Sequence, residues 1–375
     1  MTAPTASHPP AGPPADEPAG RAKAQRRSTP YAQLTAQVQE AGLMQRRRGH
    51  YWVRIAATTA VLAANVAGIV LLADSWLVLL LGIPLALIMT QFAFLGHDAA
   101  HRQIFARHSS NEWAARIFAA LVVGLSYGWW MGKHNRHHQA PNQRGIDGDI
   151  ESDVVAFYDE AAESRRGLLA WFTRRQGWFF IPLLLGEGLN LHYESTRILL
   201  DRGSISKRRW VDASLIVVHW TVYLTLLLTL LGPGRGAAFF GVHMAMFGLS
   251  MGGTFAPNHT GLPVVPRTEK VDFIRRQVLM SRNIRGGWFV NLFMGGLNHQ
   301  IEHHLFPSMP RPNLRRARPY VKAFCAEHGI KYTETTFLGA YRDIIRYLNE
   351  VGLKARNPFR CPLAAQLRGG GGLPS

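Results

Sequence analysis

Four long apolar runs constrain this chain more than any other feature. Trp52 to Ala73 and Trp76 to Leu95 are separated only by Asp74 and Ser75. Val211 to Leu231 and Ala237 to Phe255 are separated by Gly232-Pro233-Gly234-Arg235-Gly236, a strong helix breaker. Each run has about 20 residues, the length a helix needs to cross the roughly 30 Å hydrocarbon layer. The short connectors make each pair a helical hairpin. The sequence therefore predicts an all-α integral membrane protein with two transmembrane hairpins, four spans in all. Arg54 interrupts the first run near its start.

Composition alone conceals this. The hydrophobic fraction of 47% is ordinary for a soluble protein, but the apolar residues are clustered and the ends are polar. The formal net charge of +18 suits nucleic acid, an anionic membrane surface or acidic partners. The apolar runs decide for the membrane, and no nucleic-acid recognition motif accompanies the charge. Cys325 and Cys361 form no paired-cysteine motif, which excludes a zinc ribbon, an iron–sulfur cluster and a disulfide framework. So few cysteines point to a reducing compartment.

Basic residues predict orientation. Arg46-Arg47-Arg48 precedes the first run, Lys207-Arg208-Arg209 precedes the third, and Arg267, Lys270, Arg275 and Arg276 follow the fourth. The opposite turns hold only Arg235. Both termini and the long middle segment are thus expected on the cytoplasmic side of the cell membrane. Ala114 to Trp130 and Trp178 to Leu191 are too short or too polar to span and are expected in the interface. Residues 1–30 and 356–375 read as flexible polar tails around a domain over 31–355.

The 16 histidines are not scattered. His97 and His101 stand at i, i+4 at the end of the second run. His134, His137 and His138 stand at i, i+3, i+4 in the middle segment. His303 and His304 follow the fourth run, with Gln300 three and four residues before them. On a helix such spacings place rings on one face. Imidazole is a good ligand for iron, zinc, copper and nickel. Seven histidines exceed what one four-coordinate zinc uses, so they suit two metals. With the orientation above, all three clusters meet at one depth, in a cytoplasmic helical cap holding a di-metal site. Chemistry with oxygen would favour iron over zinc.

His97-x-x-x-His101, His134-x-x-His137-His138 and Gln300-x-x-His303-His304 resemble the three histidine boxes of the membrane fatty acid desaturase superfamily. Order, spacing and placement around two hairpins all match, over roughly Tyr51 to Tyr347. The glutamine that opens the third box, with Leu305-Phe306-Pro307 after it, is similar to front-end desaturases and their bacterial acyl desaturase relatives. The resemblance implies two iron ions, O2 as co-substrate, and a double bond introduced into a long acyl chain lying in a tunnel among the spans. It also implies a further histidine ligand after the fourth span, for which His259 is the candidate. The sequence holds no His-Pro-Gly-Gly motif of a fused b-type cytochrome. Electrons are therefore expected from a separate ferredoxin or flavin reductase. A hydroxylase, ketolase or alkane monooxygenase with the same boxes is the nearest alternative, and a membrane metal transporter a more distant one.

Other residues are read against this frame. Asp98, Glu302, Gln300 and Asn258 are expected to support the ligands, directly or through water. Asp147, Asp149 and Asp153 either do the same or line a solvated loop. Lys133 and Arg136 either meet an anionic headgroup or sit at the interface. His299 reads as supporting or structural. His192 either lines the substrate channel or is a satisfied structural histidine. His219 and His243 read as histidines bonded across spans. His8, His50, His108 and His328 read as solvated.

Overall fold

The computed structural model describes residues 29–200 and 208–354. The tails expected at 1–30 and 356–375 lie outside them, except that Thr29 and Pro30 begin the first helix, α1 (Pro30–Glu40). There the Thr29 hydroxyl accepts from the Ala32 N–H at 3.2 Å, with proline at the first helical position. Next come α2 (Arg48–Leu71), then a 3-10 turn (Trp76–Leu81) leading into α3 (Gly82–Ala100). Arg54, the charge inside the first run, donates to the Gln91 side chain on α3 at 2.7 Å, so the polar group is met within the hairpin.

The stretch Ala114–Trp130 is not one helix. α4 (His108–Arg116) widens into a π-helical turn (Ile117–Val123) and stops at Gly124, whose φ is 86°. α5 (Tyr127–Gln139) then leaves at a bend of 114°. The short helices α6 (Asp159–Ser164) and α7 (Gly167–Thr173) precede α8 (Gln176–Leu200), so Trp178–Leu191 lies inside a 25-residue helix. α9 (Arg209–His259) is 51 residues long but breaks at Gly232, with φ 70° and ψ 173°. Residues 209–231 and 233–259 are therefore two arms. They pack side by side, with Tyr223 against Phe240 and His243.

Three helices among the described residues are long and apolar enough to cross a membrane: Arg48–Leu71, Trp76–Ala100 and Arg209–His259. The bent pair of α4 and α5 would make a fourth if it were one span. Their exposure agrees with lipid contact, since Val61, Leu71, Val217, Val222 and Leu228 are all more than half exposed. A water-facing monomer rarely shows so extended an apolar surface. α3 is the most enclosed of the three. α8 crosses the second arm of α9 at backbone contact: a Cβ on Gly188 would lie 2.2 Å from the Met244 carbonyl oxygen, and one on Gly248 2.3 Å from the Gly188 nitrogen. Only glycine permits that approach.

The rest forms a cap: α10 (Phe273–Leu279), β1 (Asn283–Arg285), α11 (Trp288–Phe293), α12 (Gln300–Leu305), α13 (Arg311–Glu327), β2 (Glu334–Thr336) and α14 (Phe337–Leu353). β1 and β2 pair in parallel, Ile284 opposite Thr335, a small departure from the all-α expectation. This ladder has a purpose at the box. Asn283 accepts from the Ile301 N–H at 2.9 Å and donates to Glu302 at 2.7 Å, which pins α12 to the strand. α1 adds a second anchor, since the Tyr31 hydroxyl donates to the Leu305 carbonyl at 2.6 Å. Leu34, Val38, Ile301, Leu314 and Val321 close one apolar core beneath it.

Candidate metal centre

The three boxes meet although they lie up to about 200 residues apart. His97 stands in the last turn of α3 and His101 ends it. His134, His137 and His138 occupy the C-terminal half of α5, and His303 and His304 sit on α12. His259, the last residue of α9, joins them.

The eight imidazoles divide into two groups. His97, His101, His134, His138 and His303 form one, and His137, His259 and His304 the other; within each, the potential ligand nitrogens lie within 4.8 Å of one another. Helix geometry explains the division. Residues at i, i+4 share a face, so His97 pairs with His101 and His134 with His138. Neighbours in sequence diverge by about 100°, so His137 turns away from His138, and His304 from His303. Each adjacent pair thus feeds both groups. The groups abut, with the His138 and His304 rings stacked at 4.4 Å.

Supporting contacts define which nitrogen faces inward. The His137 Nδ1 lies 3.0 Å from an Asp147 carboxylate oxygen, the His259 Nδ1 2.8 Å from the Met280 carbonyl, and the His304 Nδ1 2.8 Å from the Gln277 amide oxygen. Each partner only accepts, so each Nδ1 carries the proton and each Nε2 keeps its lone pair. The His97 Nδ1 is 3.4 Å from Asp98, which is itself held by Arg311 at 2.6 Å. The inward nitrogens lie close together: His101 Nε2 to His134 Nε2 is 2.8 Å, and His303 Nε2 to His138 Nε2 is 3.1 Å. The Nε2 atoms of His97 and His304 are buried without any hydrogen-bond partner. Buried polar atoms normally have one. Lone pairs converging on a common point fit a cation, and two groups fit two cations. Burial, then the neighbouring imidazoles, pushes His303 and His304 well below the ordinary histidine range, so they are neutral, as ligands must be.

The remaining expected residues fall in three places. Gln300 donates from its amide to the His259 Nε2 at 2.9 Å and accepts from Asn258 at 3.2 Å, so both stand beside the smaller group. Asp147 is fully buried and also accepts from the Asn142 N–H at 2.7 Å. Asp149 bridges His137 at 3.3 Å and Lys133 at 2.8 Å. Glu302 does not reach an imidazole in this way; it accepts from Tyr332 at 2.6 Å and from Asn283, and so holds α12 from behind. Burial raises its carboxyl, partly offset by those two donors. Asp153 and Arg136 are exposed. His299 is buried beside the third box. His50 is half-buried and His328 stacks on Phe324 at 4.1 Å, so neither is simply solvated. His8 lies outside the described residues.

Gln277 and Arg311 escape sequence reasoning. Gln277 is fully buried, accepts from His304 and donates to the His138 carbonyl at 2.9 Å, tying the second box to the third. Neither residue belongs to a motif. Only their position between or just after the boxes could have drawn notice.

An apolar cavity adjoins the larger group. Phe94, His97, Val123, Leu125, Met251 and Phe255 are among the residues that line it.

Known proteins resemble this chain over most of its length. The family model for fatty acid desaturase matches residues 74–336. The chain is 31% identical over 314 residues to an acyl-lipid (9-3)-desaturase of Physcomitrium patens, covering 80% of this chain and 58% of that protein. It is 26% identical over 347 residues to a Delta(8)-fatty-acid desaturase of Helianthus annuus, covering 88% and 74%. It is 29% identical over 272 residues to a Delta(6)-fatty-acid desaturase of Caenorhabditis elegans, covering 68% and 61%. The chain therefore spans between about three fifths and three quarters of these relatives' lengths.

Proposed function

This chain belongs to the fatty acid desaturase family, and on that premise we propose that it is an oxygen-dependent fatty acyl desaturase. The observation that carries the reading is the division of eight imidazoles into a group of five and a group of three. His97, His101, His134, His138 and His303 would hold one iron ion. His137, His259 and His304 would hold the other, with Gln300 beside it. An all-nitrogen donor set with neutral rings suits a redox-active first-row metal. Bound there, the two ions would supply the electron transfer to O2 that makes an unactivated methylene reactive.

The chain's own residues bind, orient and exclude water. Asp147, Gln277 and the Met280 carbonyl hold the Nδ1 protons, so that each ring turns its lone pair inward. The Arg311–Asp98 pair does the same behind His97. The apolar cavity, about 40 Å³, takes a few methylenes of the acyl chain, carried on a lipid or as a thioester, beside His97. One turnover takes two hydrogens from adjacent methylenes, two electrons and two protons from outside, and converts O2 to two waters. A separate ferredoxin or flavin reductase supplies the electrons, and an acidic carrier is drawn to a basic protein face.

In the membrane, α2, Trp76–Ala100 and the two arms of α9 are the four spans. Arg46 to Arg48, Arg208, Arg209, Arg275 and Arg276 flank the box side, which makes that side and its cap cytoplasmic at the cell membrane. Expression in a host of defined lipids, followed by mass spectrometry, tests the reading. The expected product is lighter by two hydrogens, and is lost in His134→Ala and His303→Ala. A product heavier by oxygen, or folded variants that still desaturate, would overturn it. The relatives carry different positions in their names, so family membership leaves the attacked bond to the geometry of the acyl cavity.

A further inference from the structure

His192, His219 and His243 lie on α8 and α9 away from the metal groups, and two of them converge on one weak point in the backbone. The π-helical turn Ile117–Val123 ends at Gly124, so its last carbonyls have no helical partner. His192 on α8 lies with Nε2 3.0 Å from the Val123 carbonyl and Nδ1 2.7 Å from the Gly188 carbonyl, and its neutral ring, with one N–H, donates to one of the two. His219 on the first arm of α9 lies with Nδ1 3.0 Å from the Leu121 carbonyl. Both rings crowd Gly124: a Cβ there would lie 2.6 Å from a His219 ring carbon and 3.3 Å from the His192 Nε2. Beyond Gly124, Ser195 accepts from the Ser126 N–H at 2.6 Å, and the buried Asp212 accepts from the Ser126 hydroxyl at 2.9 Å and the Gly128 N–H at 2.8 Å. α8 and α9 thus clamp the break from one side.

The other side of the break is a wall of the apolar cavity. Ala119, Val123 and Leu125 line it, together with Ala93, Gly96 and His97 of α3. Val123 therefore does two things: it lines the cavity, and its carbonyl abuts the His192 ring behind it. A π-helical turn followed by a left-handed glycine is not a self-supporting wall. Its front packs on α3, where the Phe92 and Phe118 rings stand 5.9 Å apart, and its carbonyls are met from behind by α8 and α9.

We infer that His192 and His219 are positioning residues that set the depth of the acyl cavity, and with it the chain length and bond presented to the metal side. The inference rests on the desaturase reading for its substrate, an extended acyl chain. Removing the His192 ring frees the Val123 carbonyl and leaves space behind the wall, which moves outward. An amide side chain refills that space and offers an N–H to the carbonyl, at Val123 in His192→Gln and at Leu121 in His219→Asn.

The experiment compares wild type, His192→Ala, His192→Gln, His219→Ala and His219→Asn, with metal content measured on each purified protein. Product chain lengths and double-bond positions are read by mass spectrometry. One methylene in an apolar pocket changes selection by about 10–200-fold. The ratio of chain lengths or bond positions is accordingly expected to move about tenfold or more in the alanine variants, with metal retained. The amide variants are expected to return to the wild-type profile. An unchanged profile in folded alanine variants, at whatever total yield, would overturn the inference. A second measurement separates it from the reaction: an acyl chain carrying a diazirine is photolysed on each purified protein and the labelled peptide mapped. Label within 117–125 that shifts in His192→Ala supports the wall even if no double bond is made, an outcome that would sink the desaturase reading alone. Label elsewhere in wild type would overturn the inference even where desaturation is seen.

Discussion

The histidines of the boxes and those of the spans are the same residue put to opposite uses. In the boxes, where supporting partners are present, they meet the Nδ1 atoms from outside, and the Nε2 atoms turn toward one another. On α8 and the two arms of α9, His192 and His219 turn their nitrogens to backbone carbonyls, and His243 meets the Tyr223 hydroxyl at 2.7 Å. What separates a metal site from a structural bond is therefore neither burial nor histidine content. It is whether lone pairs converge on one another, and among the described residues only that of His259, of the eight, accepts an amide N–H, from Gln300.

The largest expected break in this contrast is His303→Ala or His134→Ala, which removes a converging nitrogen from the larger group. Product is expected to fall to background, and bound iron per protein to drop, measured by elemental analysis on the purified membrane protein. A span histidine changed in the same way is expected to leave iron unchanged. Next is Asp147→Asn, which keeps shape but weakens the acceptor behind His137. Loss of such a supporting partner costs about 10–100-fold in metal affinity, to be read by chelator competition.

Acid sharpens the comparison further. His303 and His304 are held below the ordinary histidine value of about 6.5 by burial first and then by neighbouring imidazoles. Below that value the unfolded chain takes up protons that the folded site refuses, so their contribution is present above about pH 6.5 and is lost as pH falls. Metal-free protein should melt progressively lower from pH 7 to pH 5, and metal should protect it by occupying the same lone pairs. A melting temperature of the metal-free protein that rises on acidification would contradict the neutral assignment. The smallest effect is expected at Tyr223→Phe, where one bond between the arms of α9 is lost. It should cost about 0.5–1.5 kcal/mol of stability, with iron content and product unaltered.

Much of the architecture was legible because it is written locally. An apolar run of span length, a Gly-Pro-Gly breaker and an i, i+4 pair of histidines each depend on neighbours within a few turns. The break at Gly232 and the ring pairing of His97 with His101 follow from such neighbours alone. The same local reasoning placed three box-2 histidines on one face. It missed that adjacent residues diverge by about 100° and so serve two groups. It also left Glu302 among the expected ligand supports, whereas the Asn283 strand and Tyr332 claim its carboxylate. The bend after Gly124 was hidden because its cause, carbonyl partners on α8 and α9, lies about 70 to 100 residues away.

By itself, then, the sequence determined the helical membrane architecture and supplied the imidazoles at spacings that let helices present them in pairs. Only tertiary structure decided how five and three of them converge, with His259 among the three, that Gln277 and Arg311 stand beside them, and that His192 and His219 lie against the turn that lines the cavity. The physical reason is range. Helix periodicity and hydropathy act between residues a few positions apart, while convergence of lone pairs depends on where α3, α5, α9 and α12 are packed.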